Sequence, residues 1–264
     1  MKDFINEHWR PVLAFNGLDD FDALWKLDNE WVEAPNRCRG GWSGAARCEL
    51  SLPGGGTAAI FLKRQENHTT RSLHHPLRGV PTFLREFKWI MAYRDDAIST
   101  LEPVYFGMRE RDGNQRAILA TEELTGFVSL EERELRWRRE GVPPRGQRLP
   151  VLQAVAGLLR KMHVHGIRHG CFFPKHVFIR DNADGSVEAR VIDLEKSCRR
   201  PRPMCALRDL YSLAHYVSSV WSRTDRLRFL DLYLDISRLD ARAKWLWRGV
   251  AARSARKNAE RARR

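Results

Sequence analysis

Four side chains within a 25-residue stretch carry most of the reactive chemistry in this sequence: His169, Cys171, His176 and Asp193. Asp193 follows the apolar run Arg190-Val-Ile and precedes Leu194-Glu195. A carboxylate at the end of a buried strand can hold a divalent cation against phosphate oxygens; the blander reading is an aspartate capping a turn. A second pair lies upstream. Lys63 ends the apolar strand Ile60-Phe-Leu, and Glu86 comes 23 residues later. A cation that must stay at a phosphate needs a carboxylate to orient it, because a bare lysine samples many rotamers. Taken singly, each residue reads as solvated surface. The glycines of Arg39-Gly-Gly-Trp-Ser-Gly-Ala-Ala-Arg47, namely Gly40, Gly41 and Gly44, remove Cβ atoms where a backbone could approach a nucleotide. Glycines equally mark hairpin turns, and Pro53-Gly-Gly-Gly56 reads as one.

The elements that must position these groups change character along the chain. Residues 1–34 read as a short helical lead-in, with Phe21, Leu24, Trp25 and Leu27 at helical spacing. Cys48–Leu52 and Thr57–Lys63 read as strands joined by the triple-glycine turn. Pro81 and Thr82 open a helix over 81–94, and two more strands cover 102–107 and 116–121. Beyond residue 122 the pattern turns helical. A charged helix spans 129–140, a turn-rich loop 141–146, a buried helix 149–165, and helices dominate again from Ala206 onward. Between them, the strand Val177-Phe-Ile and the turn Asp181–Gly185 separate His169 from Asp193. The expected fold is therefore α+β and bilobal, with a strand-rich N-lobe over 1–122 and a helical C-lobe over 123–264.

Global composition narrows the classes. The 264 residues are 43% hydrophobic with nine Trp, which excludes disorder. No apolar run approaches the roughly 18 residues that span a bilayer, and the N-terminus carries no signal-like apolar core. Five cysteines without a C-x-x-C pair point to reduced thiols and the cytosol. A net charge of +13 favours anionic partners. Nucleic acid is disfavoured, because no zinc pattern, aromatic RNA-binding motif or helix-turn-helix accompanies the charge. The tail Trp245–Arg264 has seven cations after Trp247 against Glu260. It reads either as a peripheral anchor on an anionic membrane face or as a solvated Arg/Ala helix.

In order, these features follow the plan of protein-kinase-like phosphotransferases: glycine loop, strand lysine, helix glutamate, histidine loop, aspartate turn. On that plan Lys63 and Glu86 serve the nucleotide phosphates, and Asp193 with His176 serves Mg²⁺. Cys171 occupies the position of the catalytic base two residues after His169, and Asp209 anchors the loop backbone as a structural residue. A Cys171 nucleophile activated by His169 is a rival reading that lacks an orienting third group.

The run Pro174-Lys-His-Val-Phe, with His176 in place of the usual asparagine, and Ile192-Asp-Leu-Glu-Lys-Ser197 resemble the lipopolysaccharide kinase family of Gram-negative bacteria. The resemblance covers about residues 38–220. It implies a protein-kinase-like fold, ATP and Mg²⁺, and a heptose or Kdo sugar of the lipopolysaccharide inner core as an anionic glycolipid acceptor. It also implies a cytoplasmic location, which the basic tail, read as an anchor, makes peripheral at the inner membrane. The departure is Cys171, where an aspartate is expected to accept a hydrogen bond from the attacking hydroxyl. Asp181, Asp184 and Glu195 are the nearby carboxylates that could substitute. The chain is thus expected to be either a sugar kinase or a catalytically silent kinase-like module binding nucleotide or an assembly partner. A small-molecule phosphotransferase unrelated to the envelope is a third expectation.

Overall fold

The computed structural model describes residues 2–72, 75–217, 219–238 and 240–262. They form two compact units, one of residues 1–92 and 101–125, the other of 93–100 and 126–264.

The first unit is built on a six-stranded antiparallel sheet. Its elements are β1 (Phe4–Ile5), α1 (Arg10–Phe15), α2 (Phe21–Lys26), β2 (Asn36–Cys38), β3 (Gly41–Ser51) and β4 (Thr57–Glu66), then the separate hairpin β5 (Thr69–Ser72) and β6 (His75–Pro81). There follow α3 (Thr82–Asp95), β7 (Pro103–Arg111) and β8 (Asn114–Glu122), and the sheet order is β1-β7-β8-β4-β3-β2. Period-two alternation decides which side chains go inside. Ala46, Cys48 and Leu50 of β3 and Ile60 and Leu62 of β4 turn to one face, where they bury against Val12, Leu13, Phe21 and Leu24 of the two small helices. Lys63 and Gln65 therefore point the other way, towards α3.

Arg64 stays on the packed face because its charge is used there. It donates to the carbonyls of Trp25 and Leu27 at the C-terminal end of α2, 2.8 and 2.6 Å away, and its guanidinium lies over the Trp31 ring. A cation at a helix C-terminus satisfies orphan carbonyls and opposes the dipole.

The second unit contains β9 (Val128–Ser129), α4 (Leu130–Glu140), α5 (Arg145–Val164), β10 (Ile167–Arg168), β11 (Val177–Asp181), β12 (Val187–Val191), β13 (Cys198–Arg199), α6 (Arg202–Tyr216), α7 (Arg223–Leu234) and α8 (Ala241–Ala262). α4 opens with a capping box between Ser129 and Glu132. The β11–β12 hairpin pairs Val177 with Val191 and Asp181 with Val187.

Several boundaries differ from the sequence expectation. The lead-in contains a strand, β1, fixed by pairing with Tyr105 and Phe106. α5 begins at Arg145, before the expected 149: Pro144 stands at its N-cap, and Pro150, inside the helix at its sixth residue, forgoes the amide bond to Gly146. α6 begins at Arg202, with Pro201 at its N-cap and Pro203 in its first turn, where a missing N–H forgoes no intrahelical bond. Residues 93–100 group with the second unit. Thr100 donates its hydroxyl to the Val191 carbonyl at 2.6 Å, and Asp96 accepts from Arg199.

Candidate active site

Each unit holds one of the two clusters expected from the sequence. In the first, Lys63 Nζ lies 2.7 Å from Glu86 Oε1. Glu86 is buried at 4% side-chain exposure, while Lys63 keeps 23%. The strand fixes the lysine and the helix fixes its carboxylate. A buried carboxylate needs a paired cation, since an unpaired charge in the interior is costly.

The glycines divide. Arg39 and Gly40, both at positive φ, make the two-residue turn between β2 and β3, and the space beside Gly40 is open. A Cβ on Gly41 would strike the Glu66 carbonyl and the backbone of Asn67 and His68; one on Gly44 would strike the Trp31 ring at 2.7 Å. Protein atoms already account for glycine at these two places.

In the second unit, His169, Cys171, His176 and Asp193 come together. His169 is fully buried, and its hydrogen bonds fix its tautomer: Nδ1 accepts from the Cys171 amide at 3.2 Å, so Nε2 carries the proton and donates to the Ile192 carbonyl at 3.0 Å. Burial holds its pKa below the ordinary value, so the ring is a neutral brace between the loop and the residue before Asp193. Asp209 anchors the same loop. Its carboxylate accepts from the amides of His169 and Gly170 at 2.7 and 2.9 Å, and from His163 Nε2 at 3.1 Å. His163 Nδ1 is then free to accept from the Tyr233 hydroxyl at 2.8 Å. Asp209→Ala would strand three buried donors, each costing about 1–3 kcal/mol. A stability loss on the order of 3–5 kcal/mol is expected, read as a lower urea midpoint.

Cys171 is 5% exposed, and burial pushes its thiol above the usual range despite the opposing charge and hydrogen bond of Lys196. It is neutral near pH 7. Lys196 is a residue the sequence reading missed. Its signal was its place three residues beyond Asp193, on the short 3-10 turn of residues 194–196.

Asp193 sits at φ +62°, in the left-handed region that a non-glycine residue enters at a cost. His176 Nδ1 donates to the Cys171 carbonyl at 2.9 Å, and Nε2 lies 3.4 Å from Asp193 Oδ2. Burial lowers the His176 pKa. In the neutral ring Nε2 is a bare electron pair facing a carboxylate. Two donors with no proton between them suit a cation, and a ligating histidine characteristically donates its other nitrogen to a carbonyl. Among the described residues no group of three or more His, Cys, Asp or Glu could hold a metal. Asp193 and His176 are the residues that would hold such a cation, Asp193 being the harder and better ligand. Of the alternative carboxylates, Asp181 is paired with Arg133 and Asp184 caps the far turn of the β11–β12 hairpin. Both stand at the end of the hairpin remote from His176. Glu195 alone remains beside Asp193.

The sequence pattern of the Lipopolysaccharide kinase (Kdo/WaaP) family matches residues 22–233. The chain belongs to this family. Among curated relatives it is 31% identical over 206 residues to "Protein InaA" of Escherichia coli, covering 76% of this chain and 90% of that protein. It is 29% identical to the E. coli lipopolysaccharide core heptose(I) kinase WaaP over 248 residues, covering 88% of this chain and 86% of that protein. The corresponding kinase of Pseudomonas aeruginosa is 31% identical over 157 residues, covering 56% of this chain and 58% of that protein. Among solved structures, a WaaP in complex with acyl carrier protein has a TM-score of 0.69 at 24% identity, covering 98% of this chain and 99% of that one. The kinase-like α+β fold expected from the motif order is the fold observed.

Proposed function

We propose that this family member transfers the γ-phosphoryl group of ATP to a hydroxyl of a heptose or Kdo sugar in the lipopolysaccharide core. The observation that carries the reading is the Lys63–Glu86 pair, a buried carboxylate holding a partly exposed lysine in a single orientation. Lys63 binds phosphate oxygens and Glu86 orients it. Asp193, with His176, would hold Mg²⁺, which neutralises charge on the β- and γ-phosphates. His169 and Asp209 hold the loop in place. The neutral Cys171 thiol is a poor proton acceptor, so transfer rests on positioning and electrostatics, which carry most of phosphoryl transfer.

The second reading is a silent module that binds Mg·ATP without transferring phosphate, and the buried, neutral Cys171 is what favours it. Both readings place the protein in the cytoplasm at the inner membrane face. No helix among the described residues is long and apolar enough to cross a membrane. Exposed Trp245 and Trp247 at the start of the basic α8 support peripheral contact, although residues 263 and 264 and the side chains from 258 onward lie outside the described residues. An acyl carrier protein, the partner in the solved WaaP complex, is a further partner on this reading. What supports it is an apolar cavity of about 230 Å³ lined by Leu152, Val155, Leu213, Phe229 and Leu246, which suits an acyl chain, and a net charge of +13, which favours a partner with an anionic surface.

The test is Mg²⁺-dependent transfer of labelled γ-phosphate from ATP to dephosphorylated inner-core lipopolysaccharide. Lys63→Met is expected to lower the rate by about 10²-fold, the scale of one lost charge-stabilising donor. Mg·ATP binding without transfer would select the silent module. Absence of both would overturn the proposal.

A further inference from the structure

One cluster outside the phosphate machinery has the geometry of an activated nucleophile. Cys38 ends β2 and is exposed, and its Sγ lies 3.1 Å from Nε2 of His68. His68 is 5% exposed and follows Asn67, a residue at positive φ. Gly41 makes this meeting possible. It pairs with Cys38 across the hairpin, and any Cβ there would collide with the Glu66 carbonyl and the Asn67 and His68 backbone. Glycine lets the segment that carries the imidazole lie against the strand end that carries the thiol.

A chain of hydrogen bonds starting from a backbone amide fixes the direction in which the imidazole works. The Phe83 amide can only donate, so the Gln65 atom it meets at 2.9 Å is Oε1. That oxygen can only accept, so the Thr82 hydroxyl 2.8 Å away donates to it. The Thr82 oxygen then accepts from Nδ1–H of His68, 3.1 Å away. In the neutral ring Nε2 then carries the lone pair, and it faces Cys38 Sγ. Gln65 Nε2 also donates to the His68 carbonyl at 2.6 Å, so the relay clamps the residue it orients. Nucleophile, base and orienting third group are all present. This third group is what the Cys171–His169 pairing lacks, since His169 spends Nε2 on a carbonyl and Nδ1 on an amide.

We propose that Cys38 is a peroxide-reactive thiol, activated by His68 as general base and positioned by Thr82 and Gln65. The thiol proton passes to His68 Nε2. Sγ then bonds to one oxygen of a hydroperoxide as the O–O bond breaks. Sulfur is oxidised by two electrons to the sulfenic acid and the peroxide is reduced. The departing oxygen takes the proton from Nε2 and leaves as water or an alcohol. A low-molecular-weight thiol reverses the change by forming and then reducing a disulfide. The other four cysteines serve as internal references: Cys48, Cys171 and Cys205 are buried and Cys198 is half-buried.

The experiment uses the full chain and two probes. Iodoacetamide rates at each cysteine are measured by peptide mass spectrometry at pH 7, with glutathione as the free-thiol reference. Sulfenic acid formed by substoichiometric hydrogen peroxide is trapped with dimedone. Cys38 is expected to alkylate about tenfold faster than glutathione and to take most of the dimedone, and His68→Gln to remove at least about tenfold of that rate. A wild-type Cys38 no faster than glutathione overturns the proposal whether or not any variant folds. So does a folded His68→Gln protein with an unchanged rate. Thr82→Val, which leaves the imidazole in place but removes the acceptor of its Nδ1–H, is expected to fall between wild type and His68→Gln; a wild-type rate in it assigns no role to the relay.

Discussion

Asp193→Ala is expected to lower Mg²⁺-dependent phosphoryl transfer by about 10³-fold or more, because a metal clamp on transferring phosphate is worth several kcal/mol and each 1.36 kcal/mol is tenfold. The effect should exceed that of His176→Ala. Asp193 brings a charged, hard oxygen donor, whereas His176 brings one neutral nitrogen facing it. The protein should remain folded. The Asp193 side chain is about one-third exposed, and alanine at φ +62° adds only a modest local cost. The paired measurement is Mg·ATP affinity by calorimetry. Loss of transfer with loss of Mg²⁺-dependent binding locates the metal at Asp193; an unaltered Mg²⁺ dependence would remove it from there.

Cys171→Asp is the second large effect, and it runs upward. A carboxylate at this position can accept a hydrogen bond from the attacking hydroxyl, which the neutral thiol does poorly. General base assistance is typically worth about 10²–10⁴-fold. A gain of about 10²-fold in transfer is therefore expected, with Lys196 as the nearest counter-charge. Burying a carboxylate in a 5% exposed place should also lower thermal stability. Single-turnover transfer beside a melting curve separates the two consequences. An unchanged rate in a folded variant would mean that proton acceptance at residue 171 does not limit the reaction.

What could be read from sequence depended on whether the deciding contact left a local trace. The Lys63–Glu86 pairing was legible because a strand lysine followed by a helix glutamate constrains both partners. Asp209 was legible because its place after the aspartate turn admits few roles. Other features were hidden for definite reasons. Gly41 and Gly44 send the same signal whether the approaching neighbour is a phosphate or the chain itself, and only the positions of Trp31 and Asn67 separate the two. β7 and β8 run longer than the strands expected over 102–107 and 116–121, because the Asp112-Gly113 turn, with both residues at positive φ, closes them into one hairpin. Asp181 and Asp184 looked available because sequence proximity ignores the length of an intervening hairpin. The His68 relay was out of reach: nothing in the order Cys38, Gln65, His68, Thr82 announces that one backbone amide orients them all.

The large sheet of the first unit ends on one side in a two-residue strand, β1, and on the other in a three-residue strand, β2. Every residue of β2 is exposed, and Arg37 places a charge in its middle. Exposed strand edges are templates on which a second chain can add by backbone pairing, and short, charged edges blunt that tendency. β2 covers only Gly41–Ser43 of β3, with one further bridge from Trp31 to Ala46, so the rest of β3 is itself the edge there, and its exposed Arg47 and Glu49 place charges along it. What opposes edge-to-edge pairing on that side is charge along the strand rather than the order of the strands.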